Sequence, residues 1–186
     1  FNHPYNLFVA GFIGSPQMNF FDASLIKVNG KYAVKLGEHV VVLAEEKQAK
    51  LAANNVAEQE VTLGLRPEHL LLADSGVPAV VDLYEMMGAS VHLHVSALER
   101  DVVLVVSTMD MSVAQMAALQ MGSNINFDFS GSVAHVFNKE TGINLEANFS
   151  NRRSLPIRAG FFYVAQIGKL GFIELTNPYA LFLFRQ

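Results

Sequence analysis

From residue 18 onward the chain is a succession of short apolar runs closed by turn signals every eight to twelve residues or so. That spacing restricts it to a small barrel or sandwich. Residues 19–28, 32–36 and 40–44 read as strands, and Asn29-Gly30 between the first two is a hairpin signal. Further strands are expected at 61–65, 70–73, 79–86, 90–95 and 102–106, and the runs at 125–129 and 132–137 are expected to pair with each other. No strong internal repeat is present, and 83–95 and 126–136 are the candidates for equivalent barrel-like pieces.

Three segments interrupt this pattern. Pro4 suits the first residue of a short helix, with Leu7, Phe8, Phe12 and Ile13 along one side and Gly14 and Pro16 as its stop. Residues 45–60 are polar with Leu51, Ala52 and Val56 at helical spacing, and read as a surface helix or a loosely ordered insertion. Residues 113–119 read as another short helix.

At 186 residues, 51% of them hydrophobic, the chain can bury a genuine core. There is no Cys, hence no disulfide framework, thiolate metal site or Cys nucleophile, which fits a reducing compartment. The first residues carry no signal-peptide pattern, and the missing initiator Met suggests a piece of a longer chain. The most apolar stretch, 159–184, is broken by Gln166, Lys169, Glu174, Asn177 and Pro178, so no membrane span is expected.

Charge is divided unevenly along the chain. Residues 1–146 hold 8 Lys and Arg against 16 Asp and Glu, whereas 147–186 hold 5 against 1, together with 8 of the 19 aromatic residues. An acidic body repels a polyanion, so nucleic acid is not an expected partner. Only Arg152, Arg153 and Arg158, beside the tail aromatics, favour one. The tail reads as an extra binding element or as sequence foreign to the domain.

Tests for catalytic chemistry come back empty. A phosphate loop needs Gly-x-x-x-x-Gly-Lys-Ser/Thr, because backbone N–H groups must surround the phosphates while Lys and a hydroxyl hold charge and metal. Gly30-Lys31 and Gly168-Lys169 lack both the hydroxyl and the upstream Gly. Neither a Gly-x-Ser-x-Gly elbow nor a dinucleotide fingerprint occurs. His92 and His94, two apart on a strand, share a face, but no third ligand can be placed beside them, so a solvated pair is expected. Glu45-Glu46 and Glu58 with Glu60 read as solvated surface.

Arg66-Pro67-Glu68 is expected to project its two charges on one side, either as a partner contact or as a local ion pair. Phe20, Phe21, Met86 and Met87 read as core or interface packing. Asn148-Phe-Ser150 is a chance match to a glycosylation acceptor.

Several ordered motifs carry a family resemblance. Residues 8–20 read Phe-Val-Ala-Gly-Phe-Ile-Gly-Ser-Pro-Gln-Met-Asn-Phe, and Gly64 to Glu68 read Gly-Leu-Arg-Pro-Glu. Glu85 and Gly88 precede a strand bearing His92 and His94, and the last motif has His135, Phe137, Asn138, Thr141 and Gly142. Over residues 1 to about 146 the chain resembles the C-terminal regulatory region of carbohydrate-importer ATPase subunits, the family of the maltose transporter ATPase. The family has Asp where Asn138 stands.

The resemblance implies a mainly β fold of oligonucleotide-binding-fold-like (OB-fold) β-barrel modules, with a short N-terminal helix and one or two further short helices. Residues 1–17 would end the catalytic domain's helix and linker, 18–146 would form the regulatory domain, and 147–186 would be an atypical tail. It implies a non-catalytic role in holding two ATPase subunits together. It implies no cofactor for this region, ATP and Mg belonging to a separate catalytic domain. The implied partners are an identical or paralogous ATPase subunit, the transporter's membrane subunits and a regulatory protein. The implied place is the cytoplasmic face of the cell membrane.

Phe12, Gly14, Pro16, Met18, Asn19, Arg66, Pro67, Glu68, Glu85, Gly88, His135 and Phe137 are the interface or motif candidates. The competing reading is a stand-alone OB-fold module that binds a small oxyanion or sugar.

Overall fold

The structure is a computed structural model and describes residues 4–111, 116 and 119–147. Strand β1 (Asn19–Val28) turns through Asn29 and Gly30, both at positive φ, into β2 (Lys31–Leu36), pairing Val28 with Lys31. β3 (His39–Val42) adds to β2, and β4 (Gln59–Leu65) adds to the other side of β1. The last described strand, β10 (His135–Asn138), pairs with β4, giving an antiparallel sheet ordered β10-β4-β1-β2-β3. A second antiparallel sheet is ordered β5-β9-β6-β7-β8, from β5 (Leu71–Ala73), β6 (Val77–Met87), β7 (Ser90–Ala97), β8 (Arg100–Ser107) and β9 (Asn124–Asp128).

Period-two burial explains how the sheets share one core. On β7, Val91, Leu93, Val95 and Ala97 are buried, while Ser90, His92, His94 and Ser96 face outward. Phe21, Ala23 and Leu25 play the inward part on β1, and the Phe21 and Phe127 rings meet across the core at 6.2 Å. The mainly β class is therefore realised, with the sheets curled around a continuous apolar interior.

Four details differ from the sequence expectation. First, β9 and β10 do not pair; they lie in different sheets. The chain between them turns at Ser130, whose carbonyl accepts the Val133 N–H, and Gly131 lies against β3. A Cβ on Gly131 would sit 2.1 Å from the Val42 carbonyl oxygen, so this approach carries the chain from one sheet to the other.

Second, helix α1 (Leu7–Phe12) begins after Pro4, because Asn6 caps it by accepting the Val9 N–H at 2.9 Å. Third, its four apolar residues do not share a buried side. Leu7 and Ala10 face inward, and the Phe8 and Phe12 rings meet outside, 4.7 Å apart. Fourth, α2 (Glu45–Ala53) is not wholly a surface helix, since Leu51 and Lys47 are buried. Of the expected helix at 113–119 only 116 and 119 are described. The expectations for residues 148–186 fall outside the described residues.

An exposed electrostatic tie joins the two sheets. Asp22 on β1 accepts hydrogen bonds from Arg100 at the start of β8 and from Lys139 just after β10, the latter at 3.0 Å. Lys139 first and Arg100 second hold its carboxyl below the usual carboxylate range. Its stabilising contribution is therefore present above the unfolded value of about 3.9 and fades as pH falls through the depressed folded value. Because the group is half-exposed, Asp22→Asn is expected to cost no more than about 1 kcal/mol at neutral pH. Paired urea titrations should show that difference shrinking once the pH drops below about 4.

Candidate functional site

Around β4 the chain needs a residue with no side chain. A Cβ on Gly64 would fall 2.6 Å from Met18 Sδ and 2.9 Å from Phe137 Cε2, so any side chain there would force both neighbours to shift. Met18, Phe137 and Ala10 are buried together there, with Leu7 and Phe20 packed against them. The N-terminal segment is held over this cluster by Leu7 N–H to Gly142 O at 2.9 Å and by Asn144 Nδ2 to Pro4 O at 2.9 Å.

The candidate residues separate into two groups. Met18, Asn19, Arg66, Pro67, His135 and Phe137 are buried, so they build the fold instead of offering a surface. Phe12, Gly14, Glu68, Glu85 and Gly88 are exposed, and Pro16 is half-buried.

Among the buried group, Asn19 acts as a short piece of strand. Its Nδ2 donates to Val103 O at 2.8 Å and its Oδ1 accepts the Val103 N–H at 2.9 Å, closing the edge of β8 at that residue. Arg66 Nη1 donates to Ile13 O at 2.8 Å and so ties the loop after α1 to the end of β4. Burial pushes the Arg66 guanidinium below its ordinary value, opposed by the Glu68 charge.

Arg66 and Glu68 do not project on one side as expected. A 3-10 turn at Pro67–His69, closed by His69 N–H to Arg66 O, follows β4 at once; it leaves Arg66 inside and Glu68 in solvent. Asn138, where the resemblance expects Asp, accepts from Glu140 N–H, Thr141 N–H and Thr141 Oγ1 at 3.1, 2.8 and 3.0 Å. An amide oxygen performs this turn-closing task as a carboxylate does. The Asn138 Nδ2 also donates to Gln59 Oε1, which a carboxylate could not do.

Glu85 lies on the outward face of β6, opposite His92, and its carboxylate meets His94 Nε2 at 3.3 Å. Among the described residues, no three His, Cys, Asp or Glu side chains gather as a metal site. Gly88 sits at φ 67° in the two-residue turn between Met87 and Ser90.

The surface feature that motif reading misses is the distal half of β6. β9 covers the strand only from Val77 to Val80, the register slips between Val81 and Leu83, and Leu83–Met87 pairs with β7 alone. Leu83, Tyr84, Met86 and Met87 are 45, 45, 58 and 57% exposed, a run of large apolar side chains on an edge without a second neighbour among the described residues. Loss of clean alternation over Leu-Tyr-Glu-Met-Met is the sequence signal that could have found it.

A cleft of about 550 Å³ opens beside the end strands of the second sheet, β5 and β8, which lie near each other without pairing. Leu70, Leu71, Met87, Val105 and Val106 line it, with Glu68 and Asp110 bringing carboxylates.

Residues 14–70 match the MalK OB fold domain and residues 63–137 match the TOBE domain. The chain is 34% identical over 142 residues to an uncharacterized ABC transporter ATP-binding protein, y4oS, of Sinorhizobium fredii, covering 76% of this chain and 35% of that protein. It is 38% identical over 144 residues to the sn-glycerol-3-phosphate import ATP-binding protein UgpC of Ruegeria pomeroyi, covering 76% and 36%. Against the trehalose/maltose import ATP-binding protein MalK of Thermococcus litoralis identity is 33% over 153 residues, covering 76% and 38%. The chain thus spans little more than a third of the length of these relatives.

Proposed function

This chain belongs to the family of MalK-type OB-fold and TOBE regions of ABC-transporter ATP-binding proteins, and we propose that it is the non-catalytic regulatory and dimerisation region of such a subunit. The whole subunit would couple ATP hydrolysis to uptake of a sugar or related solute. ATP and Mg would be held by its catalytic part, and this region would lie on the cytoplasmic face, joined to the membrane subunits through that part. Among the described residues no helix is long and apolar enough to cross a membrane.

The observation that carries the self-association reading is the distal half of β6, which pairs with β7 alone among the described residues. An apolar edge strand in water is a template for pairing, and in a two-fold dimer one patch serves both subunits, so each apolar residue counts twice. A lasting contact of this kind raises the effective concentration of two catalytic parts while they open and close.

Tyr84→Lys combined with Met86→Lys places two like charges on that edge. The double variant is expected to have half the solution mass of the parent chain by light scattering, with melting temperature little changed because both side chains are already exposed. An unaltered mass would remove β6 from the reading. The competing oxyanion reading draws little support from the described clefts: two bring in Glu68 and Asp110, or Asp74, with neither Lys nor Arg, and in a third Lys139 lies among Glu60 and Glu140.

A further inference from the structure

Past the register slip, β6 meets solvent along one edge. Val81 is still covered there, its N–H donating to Ser123 O at 2.9 Å and its C=O accepting the Gly122 N–H at 2.7 Å. Every residue from Asp82 to Ala89 is exposed, so an added strand has room. Which backbone groups this edge offers follows from the far side of the sheet. Asn19 bonds both the N–H and the C=O of Val103, so these point away from β7, and Val103 and His94 form a pair without hydrogen bonds. Antiparallel pairing alternates, so His94 and His92 turn their backbone groups toward β6 and bond Leu83 and Glu85. Tyr84 and Met86 are left with N–H and C=O directed outward. No turn, loop or side-chain hydrogen bond reaches either of them among the described residues.

Side chains follow the same parity. Tyr84 and Met86 lie on the side of Leu93 and Val91, whereas Leu83, Glu85 and Met87 lie on the side of His94, His92 and Ser90. The edge is therefore symmetric in character about Glu85, with apolar residues one and two positions away in both directions. Two-fold antiparallel pairing with the axis at Glu85 sets Tyr84 opposite Met86 of the second copy, each such pair exchanging both N–H···O bonds. It also sets Leu83 opposite Met87 of the second copy, so every apolar side chain meets another. A shift of two residues sets Glu85 against Leu83 or Met87 of the second copy, and turns Met86 to Asp82 or Tyr84 to Gly88.

We propose that two copies of this chain join through β6 in the first register, with the axis at Glu85, and that Glu85, facing its own copy, limits how tightly they hold. The inference rests on the self-association reading above and assigns its register. The two Glu85 residues would stand about 4.5 Å apart at Cα, the spacing of a pair without hydrogen bonds. Like charges directly opposite weaken strand pairing. β6 and β7 contain neither Lys nor Arg to offset them.

The chain has no Cys, so single cysteines report this contact alone. Full-length Glu85→Cys, Tyr84→Cys and Met86→Cys chains are oxidised with diamide and read on non-reducing gels, beside light scattering. Met109→Cys serves as the collision control, because Met109 is 90% exposed. Glu85→Cys is expected to link well, since its thiols face each other. Positions 84 and 86 are each two residues out of line with themselves, beyond the limit of about 7 Å for a disulfide. Leu83→Cys and Met87→Cys chains, once mixed, should link to each other and not to themselves. Glu85→Gln should lower the dimer's dissociation constant about fivefold at low salt and less at high salt.

Faster linking by Tyr84→Cys or Met86→Cys would overturn the register and leave a β6 dimer standing. A dimeric mass in which Glu85→Cys links no faster than Met109→Cys would overturn pairing through this edge. A Glu85→Gln chain that holds no more tightly than the parent would overturn the assignment to Glu85. A monomer at every concentration would overturn this inference and the self-association reading together.

Discussion

Replacing Lys47 by Met is expected to cost about 3–5 kcal/mol of unfolding free energy. The Lys47 ammonium, on α2, meets both carboxylate oxygens of Glu146 at 2.8 Å, and the two side chains are only 8 and 6% exposed. Removing the cation leaves a carboxylate buried without its counter-charge, which the low-dielectric interior penalises heavily. Glu146→Leu should be destabilising in the same way, because it strands the ammonium.

The double replacement Lys47→Met, Glu146→Leu removes both charges and is expected to recover most of the loss. Urea unfolding of the four proteins forms a cycle that isolates the pair. The consequence of a single change reaches beyond one contact, since α2 holds the segment after β10. Asn54 Nδ2 donates to Leu145 O and Ala147 O, and the Glu146 N–H donates to Asn144 Oδ1. Single variants costing less than about 1 kcal/mol would mean that the pair behaves as an exposed one.

Phe137→Ala is expected to cost a similar amount, about 3–5 kcal/mol. Its ring is fully buried among Met18, Ala10 and Phe20, edge-on to Phe20 at 6.2 Å, against a strand whose Gly64 leaves it no slack. Truncation therefore opens a cavity that only flexible Met18 can partly refill. For a domain of this size the loss corresponds to a drop of roughly 10 °C in Tm, and Phe137→Leu should lose less than half of it. A Phe137→Ala protein that melts close to the parent and has lost the proposed self-association would contradict the packing role and return Phe137 to the surface.

The strand boundaries were legible because burial on one side of a sheet writes itself as alternation. β7, with its inward Val, Leu and Val, is the clearest case. The hairpin at Asn29 and Gly30 was legible because few residues accept its torsions. Sheet membership was less so. Residues 125–129 and 132–137 are neighbours in sequence with a Ser-Gly-Ser connection, which reads as a hairpin; only the approach of Gly131 to Val42 sends the second strand to the other sheet.

Motif order likewise pointed to the family without saying what each residue does. Arg66, Asn19 and Phe137 belong to the motifs yet lie in the interior of this chain, and a motif does not distinguish a residue that packs from one that makes contact with a partner. Lys47 and Glu146 were hidden for a related reason. Charged residues in a polar segment belong outside by default, and the partner that brings Lys47 inside lies 99 residues away. The distal half of β6 and the cleft beside β8 arise from where pairing stops, a property of the assembled sheet.

The most direct test of the proposed role is the solution mass of the full chain by light scattering through a dilution series. The account predicts a dimer that dissociates on dilution and dissociates earlier when Tyr84 and Met86 carry charge. A monomer at every concentration would contradict it.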